Sequence, residues 1–296
     1  RIVRALKADG HIVALTGDGV NDAPALKAAD IGVAMGITGT DVTREAADMI
    51  LADDNFATIV VAVREGRAIF ANIRKALRYL LSSNAGEVLT MFLGVIGAGL
   101  IGLDTAGPGV VAPLLATQIL WINLLTDSAP ALALGFEAPP SDVMRYPPRR
   151  LTDRVIDREM QVGVVLIGLV MAVATLFTID LMLPGGLVAG SGGIDRARTA
   201  GFTVLVLAQL FNAFNSRSDR RSAFDGLFTN YRLWGAVGLS FVLQVAVVTL
   251  PILNEAFGTV PLSLADWLLC VVIASSVLWV DEVRKLIVRG RQGPRR

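Results

Sequence analysis

The sequence predicts a small α/β remnant followed by an all-α membrane domain of six transmembrane helices. Of its 296 residues 53% are hydrophobic, and the mean hydropathy is +0.59, which is too apolar for an ordinary soluble domain. The apolar residues are concentrated in six long segments after residue 78, whereas the first 55 residues alternate short strand-like and helical runs. The net charge of +1 does not indicate a nucleic-acid partner, and the single cysteine, Cys270, excludes an internal disulfide framework.

The α/β part is predicted for residues 1–55. Short apolar strands that alternate with helices indicate a parallel sheet. Pro24 lies in the first turn of one helix, where its missing N–H costs nothing. The expected strands are 11–16, 31–35 and 49–51, and the expected helices are 22–29 and 41–47.

An acidic turn at residues 16–24 follows the first strand. In open α/β sheets ligands bind at the carboxyl ends of the strands, and this is where Asp18 lies. The carboxylates of Asp18 and Asp22, with the amide of Asn21, are the hard oxygen ligands that magnesium prefers. Glycines in the turn allow the backbone to approach a phosphate closely. The turn therefore predicts a magnesium and phosphate site, with a solvated turn as the alternative.

A stalk helix is predicted for residues 56–78, and it continues into the first apolar segment because no proline interrupts the pattern. Each of the six segments approaches or meets the roughly 20 residues that a helix needs to cross a bilayer. The membrane domain is assigned to 79–286 and a basic tail to 287–296. The predicted spans are 79–101, 114–134, 160–182, 200–216, 234–253 and 264–283.

The charges between the segments predict the orientation of the chain. Basic residues follow the second, fourth and sixth segments, whereas Arg196 and Arg198 are the only bases in the other loops. The positive-inside rule then places the α/β domain and the C-terminus in the cytoplasm. The Ala/Gly/Val/Arg-rich composition and the lack of a targeting signal favour a bacterial plasma membrane. The basic residues are Arg145, Arg149, Arg150, Arg154, Arg158, Arg217, Arg220, Arg221, Arg284, Lys285, Arg289 and Arg291.

Polar side chains inside the apolar segments are candidates for a transport site. A charge at the centre of a bilayer costs about 2.5–3.5 kcal/mol on insertion scales, so such residues are usually functional. Helical spacing places each set on one face of its helix. The candidates are Asn84 and Glu87 in the first segment, and Asn123, Thr126 and Asp127 in the second.

Pro130 adds a further expected ligand to this set. It has no N–H to donate to the Thr126 carbonyl, so that carbonyl is expected to be free to bind a cation. Two carboxylates, two amides, a hydroxyl and a carbonyl make a site for a hard cation. Calcium takes six to eight such oxygens, so the remaining ligands are expected from elsewhere in the protein.

The acidic turn also carries a family resemblance. Residues 16–27 (Thr-Gly-Asp-Gly-Val-Asn-Asp-Ala-Pro-Ala-Leu-Lys), followed by 30–36, 51–56 and 65–69, resemble the signature of P-type ATPases and, more loosely, of the haloacid-dehalogenase superfamily. The resemblance implies that residues 1–55 belong to a haloacid-dehalogenase-like Rossmannoid phosphorylation domain. It further implies magnesium as cofactor and ATP as substrate, with Asp18 as a magnesium ligand and with Asn21 and Asp22 supporting the metal and phosphoryl site.

The phosphorylated aspartate of that family is expected outside this chain. It lies in an Asp-Lys-Thr-Gly-Thr motif, which this sequence lacks. The chain is therefore expected to be the C-terminal part of a longer pump, with missing N-terminal domains that bind most of the ATP. The chain alone is expected not to hydrolyse ATP.

The membrane segments resemble type II calcium pumps of the sarco/endoplasmic-reticulum kind. The resemblance covers 82–88, 120–127 and 133–137, and extends through the Pro-rich loop to 148. It implies five calcium ligands and one departure, since Gln209 stands where two-calcium pumps have a glutamate. The implied ligands are Asn84, Glu87, Asn123, Thr126 and Asp127, with Gln209 as a weaker sixth.

The sequence thus predicts ATP-driven transport of a cation, with calcium favoured and the lipid bilayer as its environment. One alternative is a pump for another cation, such as manganese, sodium or protons, because Gln209 binds calcium less strongly than a glutamate. The other alternative is a truncated, non-catalytic membrane protein that binds ions.

Overall fold

The computed structural model describes the chain in two compact units. The first comprises residues 1–68 and the short 3-10 turn Val143–Arg145, and the second comprises most of the remaining chain. Arg149, Arg150, Arg220 and the predicted tail beyond 291 lie outside the described residues. The residues described are 1–106, 112–137, 143–145, 147, 154–188, 190–219 and 221–291.

The first unit contains a three-stranded parallel sheet in the order β1-β2-β3. Val33 pairs with Thr16 on one side and with Met49 on the other, and it packs in a small core with Met35 and Leu51. This confirms the predicted parallel strands. The elements are α1 (Ile2–Ala8), β1 (Ala14–Gly17), α2 (Ala23–Ala28), β2 (Ile31–Met35), α3 (Asp41–Ala46) and β3 (Met49–Leu51).

The first strand is shorter than the predicted 11–16. The N–H of Val13 donates to the carboxylate of Asp30 at 3.0 Å instead of to a neighbouring strand, so the ladder begins at residue 14. The same carboxylate forms an ion pair with Lys7 at 2.9 Å. These hydrogen bonds, first that from Val13, lower the pKa of Asp30.

A second carboxylate shapes the loop that follows β2. Asp54 accepts hydrogen bonds from the backbone N–H groups of Gly36, Ile37 and Thr38 at 2.6–3.0 Å, and from the Thr38 hydroxyl at 2.8 Å. It holds a left-handed φ of 50°, which is uncommon for a residue other than glycine. The hydrogen bonds, first that from Ile37, lower the pKa of Asp54 to about 2. Asp54 therefore fixes the loop at the carboxyl edge of the sheet.

A long helix, α4 (Phe56–Ile96), joins the stalk and the first predicted span without a break. It ends five residues before the predicted limit at 101, where turns and a 3-10 segment begin. The other helices of the second unit are α5 (Ala116–Trp121), α6 (Ser128–Gly135), α7 (Arg158–Met182), α8 (Ile194–Asn215), α9 (Tyr231–Thr249), α10 (Pro251–Phe257), α11 (Leu264–Ala274) and α12 (Ser276–Arg291).

Five helical segments in the described part of the chain are long and apolar enough to cross a membrane. The second predicted span, 114–134, is not among them because it is broken into α5, a π-helical turn at Ile122–Thr126, and α6. The prediction of six continuous spanning helices is therefore not confirmed. The five segments are Phe56–Ile96, Arg158–Met182, Ile194–Asn215, Tyr231–Thr249 and Leu264–Gly290.

Helix α8 lies at the centre of the second unit, with α7, α9, α11 and α12 packed against it. Its residues from Ala200 to Leu210 are all buried, including the polar Gln209, so this part of the helix has no exposed face. A helix buried on every face must satisfy its polar side chains through neighbouring helices. Two polar side chains of α8, Gln209 and Asn212, accordingly donate to Glu87 and Ser82 of α4.

Candidate functional site

The acidic turn is built around the side chain of Asp22. Its Oδ2 accepts the backbone N–H groups of Asp18 at 3.2 Å and Gly19 at 3.1 Å, which closes the turn immediately after β1. A Cβ added at Gly17 would lie 2.6 Å from the Cβ of Asp22, so a glycine is required there for the side chain to fit. Asp22 therefore shapes the turn through this oxygen.

Asp18 and Asn21 are exposed, whereas Asp22 is half-buried. The Asp18 carbonyl accepts the N–H of Thr40 at 3.0 Å, which ties the turn to the start of α3. An exposed carboxylate and a nearby amide at the carboxyl edge of a parallel sheet suit magnesium, which keeps several of its waters. The oxygen donors of Asp18 and Asn21 thus fit magnesium, and Asp22 holds the turn that carries them.

In the membrane unit, Glu87 of α4 is the centre of a buried polar group. Its side chain is only 4% exposed. One carboxylate oxygen accepts the amide of Asn123 at 2.5 Å, and the other accepts the amide of Gln209 at 3.0 Å. The structure therefore brings together three residues, from α4, the π-helical turn and α8. Asn123 lies 36 positions after Glu87 in the chain, and Gln209 lies 122 positions after it.

Asp127 lies directly after the π-helical turn and is only 2% exposed. Its Oδ1 accepts the hydroxyl of Tyr79 at 2.8 Å, whereas its Oδ2 is buried without a hydrogen-bond partner. The Oε1 of Gln209 is likewise buried and unpartnered. Unpaired buried acceptors cost free energy, and a cation that binds them removes this cost.

The π-helical turn sets the position of Asp127. The N–H of Asp127 donates to the Ile122 carbonyl at 3.0 Å, which is the i→i+5 pattern of a π-helix, and the Thr126 hydroxyl donates to the same carbonyl at 3.2 Å. A π-helical turn inserts a residue into a helix and frequently marks a functional site. It breaks the second apolar segment where the predicted ligands lie.

The expectation that the Thr126 carbonyl is free is wrong. The hydroxyl of Ser240 on α9 donates to this carbonyl at 2.9 Å, and Ser240 is fully buried. Pro130 does leave the carbonyl without its N–H, as predicted, but a side chain from another helix replaces that donor. The carbonyl retains one lone pair for a further partner.

Asn84 is not brought to Glu87. It is exposed, and its amide donates to the Leu80 carbonyl one turn earlier at 2.8 Å. The structure therefore gathers Glu87, Asn123 and Gln209 around one carboxylate, with Thr126 and Asp127 next in the same chain segment, and leaves Asn84 outside this group.

Two site residues, Tyr79 and Ser240, were missed by the sequence reasoning. The signal for Tyr79 was a hydroxyl-bearing aromatic at the start of an apolar segment that otherwise carries the ligands. Ser240 had no comparable signal because a single serine in an apolar helix usually bonds its own backbone. Asn212 of α8 donates to the hydroxyl of Ser82 on α4 at 2.7 Å, which is a further hydrogen bond between these two helices.

The chemistry of the group is that of a hard-cation site. Among the described residues, no set of three or more His, Cys, Asp or Glu side chains is arranged to hold a metal ion. The available ligands are two carboxylates with amide and hydroxyl oxygens, which suit calcium better than copper or zinc.

Comparison with known proteins identifies the family. The family described as cation transporting ATPase, C-terminus, matches residues 111–287. The chain belongs to this family of cation-transporting ATPases. The match covers the π-helical turn with Asn123, Thr126 and Asp127, and α8 with Gln209, so these residues lie within the matched region.

Several relatives are named calcium-transporting ATPases. The chain is 44% identical to a calcium-transporting ATPase of Bacillus subtilis over 92% of its length and 29% of the relative. It is 39% identical to the endoplasmic reticulum-type calcium-transporting ATPase 4 of Arabidopsis thaliana, over 99% of the chain and 32% of the relative. It is 42% identical to calcium-transporting ATPase 1 of Saccharomyces cerevisiae, over 97% and 29%. The chain thus spans about a third of the length of these cation-transporting ATPases.

Proposed function

We propose that the full-length protein is an ATP-driven calcium pump that works through an aspartyl-phosphate cycle. The observation that carries this proposal is the buried group around Glu87 and Asp127, in which oxygens of Asp127 and Gln209 lack partners. The names of the relatives support calcium as the transported ion.

Within this proposal the ion is bound by charged and neutral oxygens together. Glu87 and Asp127 supply the charge, and Asn123, Thr126 and Gln209 supply amide and hydroxyl oxygens. Asn84, which lies outside this group in the structure, would join the site through a change of its side-chain rotamer, together with residues in the rest of the pump. Calcium takes six to eight oxygens, which this chain's described side chains provide only in part.

The first unit contributes the magnesium site of the phosphorylation chemistry. We assign it to a haloacid-dehalogenase-like Rossmannoid domain whose phosphorylated aspartate and nucleotide-binding residues lie in the rest of the full-length protein. Asp18 would hold magnesium, whose charge would neutralise phosphoryl oxygens when it is bound. Asp22 and Asn21 orient the turn around it.

We place the chain in the membrane with six crossings, of which the broken segment α5–α6 is one. Broken helices occur at bilayer depth where they are buried in protein or line a polar cavity. The first unit and the C-terminus then lie on the cytoplasmic side, in agreement with the basic residues of the loops. A bacterial plasma membrane remains our proposal for its location.

Replacement of Asp127 tests the function. In the full-length pump, Asp127→Asn is expected to abolish calcium-dependent phosphoenzyme formation and calcium uptake, while Asp195→Asn, at an exposed carboxylate, leaves both unchanged. An unchanged calcium dependence in Asp127→Asn would refute Asp127 as a ligand. Parallel titrations with manganese, sodium and protons decide which ion is transported. They are needed because the amide of Gln209 binds calcium less strongly than a glutamate would, which leaves room for another cation.

A further inference from the structure

Another buried carboxylate, Asp281 of α12, lies outside the group around Glu87 and Asp127. It is fully buried and contacts three basic side chains. The Arg78 guanidinium donates to both its oxygens at 3.2 and 3.3 Å, Arg284 donates to Oδ1 at 2.7 Å, and the Lys285 ammonium lies 3.1 Å from Oδ2. One carboxylate thus joins the base of the α4 span to the last helix of the chain.

The same network includes the segment that follows α8. Arg78, only 4% exposed, also pairs with Asp219 at 2.5 Å and donates to the Ser218 carbonyl at 3.2 Å. Lys285 donates to the Asn215 carbonyl at 3.1 Å. Arg78 is therefore held both by α12 and by the segment that follows α8.

Arg78 directly precedes the residues that reach the cation site. Tyr79 donates to Asp127, and Ser82 donates back to the Arg78 carbonyl at 2.7 Å while it accepts the amide of Asn212. Each residue of an α-helix turns the chain by about 100° about its axis, so a small rotation at Arg78 displaces the hydroxyl of Tyr79. The orientation of the α4 helical turn from Arg78 to Ser82 therefore sets which side chains of α4 face the cation site.

We propose that Asp281 is a positioning residue that orients the cation-binding face of α4 through Arg78. This inference rests on the proposed function, because it concerns the affinity of the same site. The charges in the cluster are balanced, since Asp281, Glu282 and Asp219 face Arg78, Arg284 and Lys285. Loss of Asp281 leaves the cluster with one buried cation in excess, and Arg78 then loses its partner on α12 while it keeps Asp219.

The test is Asp281→Asn in the full-length pump. We expect the apparent affinity for calcium in phosphoenzyme formation to fall about 10- to 100-fold, as for outer partners of metal ligands, with the maximal level retained. Asp180→Asn is the matched control, because Asp180 is a buried carboxylate of α7 whose hydrogen bonds among the described residues come from the backbone N–H groups of Leu187 and Val188, without a basic side chain. The control is expected to keep the parental affinity.

Two further variants separate positioning from stability. Asp281→Asn with Lys285→Met restores the charge balance, so it should recover the amount of folded protein but not the calcium affinity. Arg78→Gln should lower the calcium affinity as Asp281→Asn does. Arg78→Gln combined with Asp281→Asn should lower it no further than either change alone, since both act through one contact. Additive effects, or recovery of affinity with Lys285→Met, would overturn the positioning role.

A readout that needs no transport keeps the two proposals distinguishable. Hydrogen exchange of residues 79–87, followed by mass spectrometry, is expected to be faster in Asp281→Asn than in the parent and in Asp180→Asn. Unchanged exchange there overturns the inference. A parent pump that is not phosphorylated in response to calcium overturns the proposed function instead, and the affinity series is then repeated with the cation that does stimulate it.

Discussion

Replacement of Glu87 by glutamine probes the centre of the cation site with almost no change in size. In the parent, both carboxylate oxygens accept amide N–H groups, from Asn123 at 2.5 Å and from Gln209 at 3.0 Å. The glutamine offers one oxygen and one NH₂ group. The amide N–H of either Asn123 or Gln209 would therefore face another donor instead of an acceptor. It also removes one of the two charges available to a bound cation.

The expected magnitude follows from the burial of Glu87. A buried cation that loses its charged partner is destabilised by about 3–5 kcal/mol. Since each 1.4 kcal/mol is a factor of ten, the affinity for calcium should fall by about two to four orders of magnitude. The lost charge-assisted hydrogen bond costs the cation-free protein about 1.5–3 kcal/mol, which lowers its stability as well.

The assay is the calcium dependence of phosphoenzyme formation from ATP in the full-length pump, with thermal unfolding measured on the same preparations. Glu255→Gln, at an exposed glutamate of α10, is the matched control and should change neither quantity. A calcium affinity within threefold of the parent for a folded Glu87→Gln pump would refute the reasoning, because it would mean that this carboxylate does not face the ion.

Two other outcomes follow from hydrogen bonds of the described residues. Ser240→Ala leaves the buried Thr126 carbonyl unpaired, so the free energy of unfolding should fall by about 1–3 kcal/mol; an unchanged denaturation midpoint would contradict this contact. The pKa of Asp54, about 2, lies below its ordinary value, so its contribution to the stability of the first unit is present above about pH 4 and is lost as the pH falls through about 2. Asp54→Asn should destabilise this unit at neutral pH and flatten its acid dependence, measured as unfolding midpoint against pH.

The strands of the first unit could be predicted because their signals are local. Val33 and Leu51 lie in short apolar runs, and such runs between helices favour parallel strands. The start of β1 could not be predicted, since it depends on the carboxylate of Asp30, 17 positions away from Val13 in the chain. Hydropathy indicates which residues are buried, but it does not indicate which side chain accepts a backbone N–H that would otherwise bond to a neighbouring strand.

The break in the second membrane segment shows the limit of hydropathy more clearly. Residues 114–134 have the composition of a span, and only Pro130 indicates an irregularity. The π-helical turn lies before that proline, and it depends on partners from other helices, among them Ser240. Such partners cannot be located from one segment alone.

The same distinction applies to the cation site. Glu87 and Asp127 could be found because a carboxylate in an apolar segment is rare and costly. Gln209 was suggested only by resemblance, and its contact with Glu87 depends on how α8 packs. Asn84 has the right helical spacing but is exposed, because spacing fixes a face of α4 without saying what covers it.

The partners of the buried carboxylates distinguish the cation site from the structural cluster. Asp281 is surrounded by arginine and lysine, so its charge is already compensated and a further cation would be repelled. In the hydrogen bonds of the described residues, Glu87 and Asp127 are held by neutral donors: two amides and a phenol. These donors hold the carboxylates in place without neutralising their charge.

Amides also allow the site to change its role when the ion arrives. Asn and Gln each carry a donor and an acceptor on the same planar group. Rotation of the Asn123 or Gln209 side chain therefore replaces the N–H that faces Glu87 with an oxygen that faces a cation. The Oε1 of Gln209 is buried and unpartnered in the structure, and under the proposed function a bound ion would provide the interaction that this oxygen lacks. A glutamate at this position would repel Glu87 before the ion binds, whereas the amide stabilises both states.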